Sequence, residues 1–171
     1  GYLHVSAQKN TTLRSHMTYP GKQLSNIGGY VDSLGNEYAL VGHSEGLSIV
    51  NVQDPDNPFI VQEIPGPNSI WREVKTWQKH AYVTTEGGSQ GLTIVDLSNL
   101  PGTNLPFQNW SPTITTGVGT YTLSTIHALH IDNGYVYLYG ANNGSGIDGI
   151  VIGDLSDPWN PTVAGLYDGY Y

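Results

Sequence analysis

Side chains able to bind a ligand are spread along this sequence rather than gathered in one motif. Seven of them fall near strand ends of the repeating pattern described below: His43, Trp71, Arg72, Glu73, Glu86, His127 and Asn142. Together they offer an indole, a guanidinium, two carboxylates, two imidazoles and an amide, and a few such groups in an apolar setting are typical of ligand pockets. We take these seven as candidate ligand-binding residues and assign no catalytic residue.

The spacing of these residues gives little support to metal binding or to nucleophilic catalysis. His127 and His130 are three apart, which in a strand places them on opposite faces, unlike the two histidines that one helical face presents. His127 is a weak candidate metal ligand that would need partners from other blades, so no cofactor is expected and a divalent metal is the alternative. The sequence has no Gly-x-Ser-x-Gly motif, Walker A loop or dinucleotide fingerprint.

The elements that must position these side chains come from a repeat of about 45 residues. A glycine opens an apolar run at positions 46, 91 and 149, and the runs read Leu47-Ser48-Ile49-Val50-Asn51, Leu92-Thr93-Ile94-Val95-Asp96 and Ile150-Val151-Ile152-Gly153-Asp154. Asp-Pro-x-Asn-Pro follows the first and third runs, where Asp and Pro favour a tight turn. Each unit therefore predicts about four short strands, the last two joined by a corner.

Composition agrees with an all-β protein. The 171 residues include 22 Gly, 10 Pro and 12 Tyr, and no Cys. This composition is typical of short strands joined by tight turns. The net charge of −8 repels phosphate backbones, so nucleic acid is not an expected partner. No stretch approaches the roughly 20 apolar residues of a membrane helix, so no membrane span is expected.

We therefore predict a β-propeller in which this chain supplies three four-stranded blades. The units are 26–67, 68–125 and 126–171, and residues 1–25 form an N-terminal extension or a closing strand. The repeat glycines at 91 and 149 are farther apart than those at 46 and 91, and this extra length predicts a long surface loop at 101–123. Because propellers have roughly 4 to 8 blades, three blades indicate an incomplete portion of a larger propeller, with the remaining blades in the same or another chain.

The repeat resembles the LVIVD-repeat proteins, in particular the choice-of-anchor B family of bacterial surface proteins. The resemblance rests on the three apolar runs and on Glu37 to Gly42, Ser69 to Lys75, Ala81 to Gly88 and Ile126 to Asp132. It implies a β-propeller that is exported, processed and attached to the outer surface of a bacterium. It implies no settled activity.

In a propeller the first strand of each blade lines the central channel, so equivalent positions converge there. Alignment of the units places Gly28, Trp71 and His127 at equivalent positions near the start of the first strand, with Arg72 and Glu73 beside Trp71. Arg72 and Glu73 should point to opposite faces, so at most one of them should face the channel. Trp71 could equally fill the space between two blades.

Three functional hypotheses follow from these residues. The first is a non-enzymatic surface module that binds an envelope protein, a peptide or a glycan, because Tyr and Trp offer large contact areas at small entropic cost. The second is a metal-assisted hydrolase or lyase with His127 in the channel. The third is a structural spacer of a surface assembly.

Overall fold

The computed structural model of this chain describes residues 10–167. The first of three four-stranded antiparallel sheets contains β1 (Leu24–Val31), β2 (Glu37–His43), β3 (Gly46–Asn51) and β4 (Phe59–Pro65). The strands are hydrogen-bonded in chain order, so the sheet is a simple meander.

The second and third sheets repeat this topology. The second contains β5 (Val74–Trp77), β6 (His80–Val83), β7 (Leu92–Asp96) and β8 (Phe107–Trp110). A hairpin of β9 (Thr113–Thr116) and β10 (Gly119–Thr122) comes next in the chain. The third sheet contains β11 (Ala128–Asp132), β12 (Tyr135–Tyr139), β13 (Ile150–Asp154) and β14 (Thr162–Tyr167), with a short 3-10 helix at Ala141–Gly144.

The three sheets are stacked side by side, and β5 contacts both β1 and β11. One buried cluster joins the first two sheets through residues such as Leu40, Ile49 and Val95. A second cluster joins the second and third sheets through residues such as Tyr82, Ile94 and Leu138. Alternate residues of β7 thus face opposite neighbours, which explains why this strand is apolar on both faces. The all-β prediction is confirmed, and the four-stranded antiparallel sheets are consistent with propeller-like blades, although residues 10–167 form no closed ring.

The glycines that mark the repeat have a conformational reason. Gly46, Gly91 and Gly149 precede or open the third strand of their sheets, with φ of 144°, 69° and 86°. A Cβ atom at Gly46 would lie 2.0 Å from the carbonyl oxygen of Ile64, and at Gly91 it would lie 2.3 Å from that of Trp110. Glycine avoids both the positive-φ cost and these clashes.

The Asp-Pro-x-Asn-Pro segments form corners between the third and fourth strands. Asp54 accepts hydrogen bonds from the Asp56 backbone N–H (3.0 Å) and from the Asn57 side chain (2.8 Å). Asp157 accepts the equivalent bonds from Trp159 (3.0 Å) and Asn160 (2.9 Å). The carboxylates therefore hold the turns, as the sequence predicted.

Residues 101–123 differ from the predicted surface loop. They contain β8, which completes the second sheet, and the hairpin of β9 and β10. Leu105, Ile114 and Leu123 of this segment are buried. The residues around these three side chains are mostly polar or small, so their composition indicated a loop. The segment instead forms short strands, in which β8 pairs with β7 and β9 pairs with β10.

Residues 10–23 contain no strand. They are tied to the first sheet by an ion pair of Arg14 with Asp56 and by a 2.7 Å hydrogen bond from the Ser15 hydroxyl to the Pro55 carbonyl. Of the extension or closing strand predicted at 1–25, residues 10–23 therefore form no closing strand, and residues 1–9 lie outside the described residues.

Candidate functional site

A cleft of about 560 Å³ opens where the first strands of the three sheets begin. Its lining comes from the start of β1, from the segment before β5 and from the residue before β11. The lining residues are Gln23, Leu24, Ser25, Asn26, Ile70, Trp71, Arg72, Glu73 and His127. Four of the seven predicted site residues are therefore brought to one cleft.

A bulge in β1 shapes one wall of this cleft. The register of β1 against β2 shifts between Leu24 and Ile27, so Ser25 and Asn26 leave the regular ladder. The Ser25 hydroxyl donates to the Arg72 carbonyl (2.8 Å) and accepts from the Arg72 backbone N–H (3.0 Å). Bulges commonly redirect side chains next to binding sites, and this one ties the first sheet to the segment that carries Trp71.

Trp71 presents its ring to solvent at the cleft. The residue is 57% exposed, so its ring does not fill the space between the described sheets. The Trp71 backbone N–H donates to the Ser69 hydroxyl (3.1 Å), and the Ser69 N–H donates to the Ser44 carbonyl (3.0 Å). These bonds fix the loop that carries the indole. The His127 ring lies beside it, with centroids 6.4 Å apart and planes tilted by 45°.

Glu86 reaches the cleft through His127. Its Oε1 atom is hydrogen-bonded to His127 Nδ1. The His127 backbone N–H donates to the Tyr139 carbonyl (3.0 Å), which anchors the ring at the start of the third sheet. Glu86 therefore orients an exposed imidazole.

Glu73 lines the same cleft and also joins two sheets. Its Oε2 atom accepts a 3.0 Å hydrogen bond from the backbone N–H of Leu129, and its own backbone N–H donates to the Thr84 hydroxyl (2.8 Å). A carboxylate is thus held at the wall of the cleft by a backbone donor from the third sheet.

Arg72 turns its guanidinium away from the cleft. Nε donates to the His43 carbonyl (2.8 Å), and Nη2 donates to the Pro67 carbonyl. The side chain is buried, and burial lowers the pKa of Arg72 below its usual value. Arg72 therefore has a structural role, which is to bind loop carbonyls between the first and second sheets.

The remaining two predicted site residues lie apart from the cleft. His43 is buried, and its Nε2 is 3.0 Å from Glu63 Oε2. Burial raises the pKa of Glu63, but hydrogen bonds from Ser48, His43 and Lys22 outweigh it and hold that pKa below its usual value. Asn142 has a φ of 51°, and its Oδ1 accepts hydrogen bonds from Ser124 N–H (2.7 Å) and Oγ (2.9 Å). The Nδ1 atom of His43 accepts a 3.2 Å hydrogen bond from the Glu45 backbone N–H, so both residues stabilise loops.

Strand pairing corrects the alignment of the three units. Ile27 pairs with Val41, Val74 with Val83 and Leu129 with Leu138. The equivalent first-strand residues are therefore Ile27, Val74 and Leu129, and not Gly28, Trp71 and His127. Trp71 and His127 still approach each other, because both precede the first strand of their own sheet.

Sequence reasoning missed five lining residues, which are Gln23, Leu24, Ser25, Asn26 and Ile70. The β1 bulge that turns Ser25 and Asn26 toward the cleft has no signature in the sequence. Ile70 could have been found, since it directly precedes Trp71.

Groups of three or more His, Asp or Glu side chains able to hold a metal ion do not occur in residues 10–167. The same part of the chain has no helix with the length and apolar character needed to cross a membrane.

Comparison with known proteins supports the repeat. Residues 72–107 match the family described as the LVIVD repeat. The match begins at Arg72 and ends as β8 begins, so it covers most of the second sheet together with Glu73 and Glu86. No match was found among curated proteins or solved structures. The residues that match the family thus lie in the second sheet, and the first and third sheets have the same strand order.

Proposed function

We propose that this protein is a non-enzymatic binding module whose ligand lies in the cleft beside Trp71. The observation that carries the proposal is the 57% exposure of Trp71 at the mouth of a cavity of about 560 Å³. Trp is enriched among the residues that dominate binding energy, and here it stands at a concave surface with polar groups beside it. The tethered loop holds the ring in place before a ligand arrives, which reduces the entropic cost of binding.

The ligand classes that suit such a cleft are a segment of a cell-envelope protein, a peptide or a glycan. An indole supplies contact area, and His127, Glu73 and the amides of Gln23 and Asn26 supply polar contacts. These groups surround one cavity from all three sheets, so the stacking of the sheets creates the site.

The test is a binding screen of the purified protein against peptide and glycan arrays. We expect Trp71→Ala to abolish the signals that the wild-type protein gives. Phe107→Ala is the matched control, because Phe107 is a similarly exposed aromatic residue outside the cleft. Signals that survive Trp71→Ala, or no signal on any array together with full tolerance of substitutions in the cleft, would contradict the proposal and favour a structural spacer.

We also propose that the three sheets are blades of a larger propeller and that another blade covers the third sheet. The residues Tyr82, Leu92 and Ile94 of the second sheet are fully buried against the third sheet. Their register equivalents in the third sheet, Tyr137, Ile150 and Ile152, are partly exposed. An apolar face of this kind in a blade is suited to a further sheet.

Single-cysteine labelling tests this arrangement, because the chain has no native Cys. In the intact protein in its native cells, Ile152→Cys should react with maleimide as slowly as Ile94→Cys, and Val118→Cys should react fast. Equal rates for Ile152→Cys and Val118→Cys would show that the third sheet has no covering blade.

The resemblance to choice-of-anchor B proteins supports a location at the outer surface of a bacterial cell. A membrane-impermeant maleimide should then label Val118→Cys on intact cells. Labelling that appears only after lysis would place the protein inside the cell.

A further inference from the structure

We infer that the ligand of the Trp71 cleft is cationic, with a primary ammonium or guanidinium group such as the side chain of Lys or Arg in a peptide. This inference rests on the proposed binding function and names the ligand class. It follows from the polar groups that the cleft leaves available.

Asn26 provides the first indication. It lines the cleft, and its Oδ1 atom is buried without a hydrogen-bond partner. Buried acceptors are normally satisfied, and one that is not marks a place where a donor is missing. The bulge between Leu24 and Ile27 takes this residue out of the ladder at the cleft. Because the buried Oδ1 atom has no hydrogen bond to lose, rotation of the amide turns this acceptor toward the cleft at little cost.

The charges around the cleft provide the second indication. Glu73 places a carboxylate in the wall, and Glu86 places another one behind His127. Arg72 is the one Lys or Arg among the described lining residues, and its guanidinium is committed to the carbonyls of His43 and Pro67. Lys22, next to Gln23, is paired with Glu63 at 3.1 Å. An anionic ligand would therefore meet carboxylates without a free cation, whereas a cationic ligand would meet acceptors.

Trp71 provides the third indication. A cation within about 6 Å of an indole face is attracted by the ring quadrupole, and Trp is the strongest such partner among the aromatic residues. The exposed indole and the carboxylate of Glu73 belong to the lining of one cavity. A cation in that cavity can therefore lie over the ring and donate to the carboxylate of Glu73, and to Asn26 once its amide has rotated. A neutral sugar on the same ring would gain less, because it carries no charge to pair with Glu73.

The experiment is an NMR titration of the ¹⁵N-labelled wild-type chain, observing the indole N–H signal of Trp71, which is assigned by its loss in Trp71→Phe. The probes are Nα-acetyl-lysine methylamide, Nα-acetyl-arginine methylamide, the uncharged Nα,Nε-diacetyl-lysine methylamide, acetate and lactose. We expect the two cationic probes to shift the Trp71 signal, and the uncharged and anionic probes to bind at least tenfold more weakly.

Two variants separate charge from shape. Glu73→Gln should weaken binding of the cationic probes at least fivefold and reduce its dependence on salt, and Asn26→Leu should weaken it without changing the salt dependence. Glu37→Gln, an exposed carboxylate on β2, is the matched control and should leave binding unchanged. Because Glu73 also accepts a hydrogen bond from the Leu129 N–H, the melting temperature of each variant is measured. If Glu73→Gln does not fold, the effect of Asn26→Leu on binding of the cationic probes tests the inference.

The outcomes distinguish the two proposals. If lactose or the diacetylated probe shifts Trp71 as strongly as the cationic probes, the cationic class is wrong and the binding function stands. If acetate binds most strongly, the charge argument is overturned. If no probe shifts Trp71 and the arrays are also silent, the binding function fails together with the inference.

Discussion

The hydroxyl of Tyr82 in β6 donates a 2.7 Å hydrogen bond to the carbonyl oxygen of Pro158, in the corner between β13 and β14. Tyr82 is fully buried and belongs to the cluster that joins the second and third sheets. One side chain thus combines apolar packing with a polar link to the Asp-Pro corner of the neighbouring sheet.

Tyr82→Phe should lower the free energy of unfolding by about 1 kcal/mol, because the buried hydrogen bond is lost and packing is kept. Chemical denaturation monitored by circular dichroism measures the change. Tyr135→Phe, at an exposed tyrosine, is the control and should change stability by less than about 0.5 kcal/mol. Equal stabilities of Tyr82→Phe and wild type would mean that the link does not contribute.

Arg72 and Trp71 are adjacent in sequence, but substitution of Arg72 should lower stability much more than substitution of Trp71. Arg72→Met leaves the His43 and Pro67 carbonyls without their donor, so we expect a loss of stability of roughly 2 kcal/mol or more. Trp71→Ala should change stability by less than about 0.5 kcal/mol, since the ring is exposed. Thermal denaturation of both variants checks this. The division of roles is wrong if Trp71→Ala is the more destabilising change.

Gly46→Ala and Gly91→Ala should each destabilise the protein by about 2 to 3 kcal/mol, because both positions combine positive φ with a close backbone oxygen. Gly29→Ala is the control, since a Cβ atom there meets nothing within 4 Å. Urea titrations of the three variants give the comparison. A Gly29→Ala variant as unstable as the other two would argue against the turn geometry.

Ile114→Ala should cost about 2 to 4 kcal/mol, because Ile114 of the β9–β10 hairpin is buried in the cluster between the second and third sheets. Val118→Ala, at the exposed turn of the same hairpin, should have little effect. The same denaturation assay measures both. A neutral Ile114→Ala would indicate that the hairpin is a dispensable loop.

Asp32 should make stability depend on pH in acid. Burial raises its pKa, but hydrogen bonds from Asn36, Tyr38 and Leu34 outweigh it and hold the pKa of Asp32 below its usual 3.8. The folded state therefore favours the carboxylate, and this stabilisation is complete above the unfolded pKa and is lost as the pH falls through the folded pKa. The difference in melting temperature between wild type and Asp32→Ala should accordingly be largest near pH 7 and shrink below pH of about 4. A difference that stays constant down to pH 2.5 would contradict this assignment.

Much of the fold could be predicted because its signals are local. The glycines at 46, 91 and 149 mark backbone conformations that other residues adopt only at a cost, and the alternation in Leu92 to Asp96 reports a strand covered on both faces. The Asp-Pro corners are also local, since each carboxylate binds its own turn.

The candidate site was predicted only in part. Trp71, Glu73 and His127 line the cleft, and Glu86 is hydrogen-bonded to His127. His43 and Asn142 hold loops instead, and Arg72 points into the boundary between two sheets. Position relative to a strand does not decide which way a long side chain points. That depends on which carbonyls of other sheets lie within reach.

The sequence by itself determined the three repeats, their Asp-Pro turns and most strands outside 101–123, because these depend on backbone preferences and periodicity within a few residues. The tertiary structure alone decided that Asn26 and Glu73 meet beside Trp71, since that meeting requires a bulge in β1 and the stacking of three sheets. Contacts between residues about 50 positions apart depend on how the sheets pack, which no local pattern encodes.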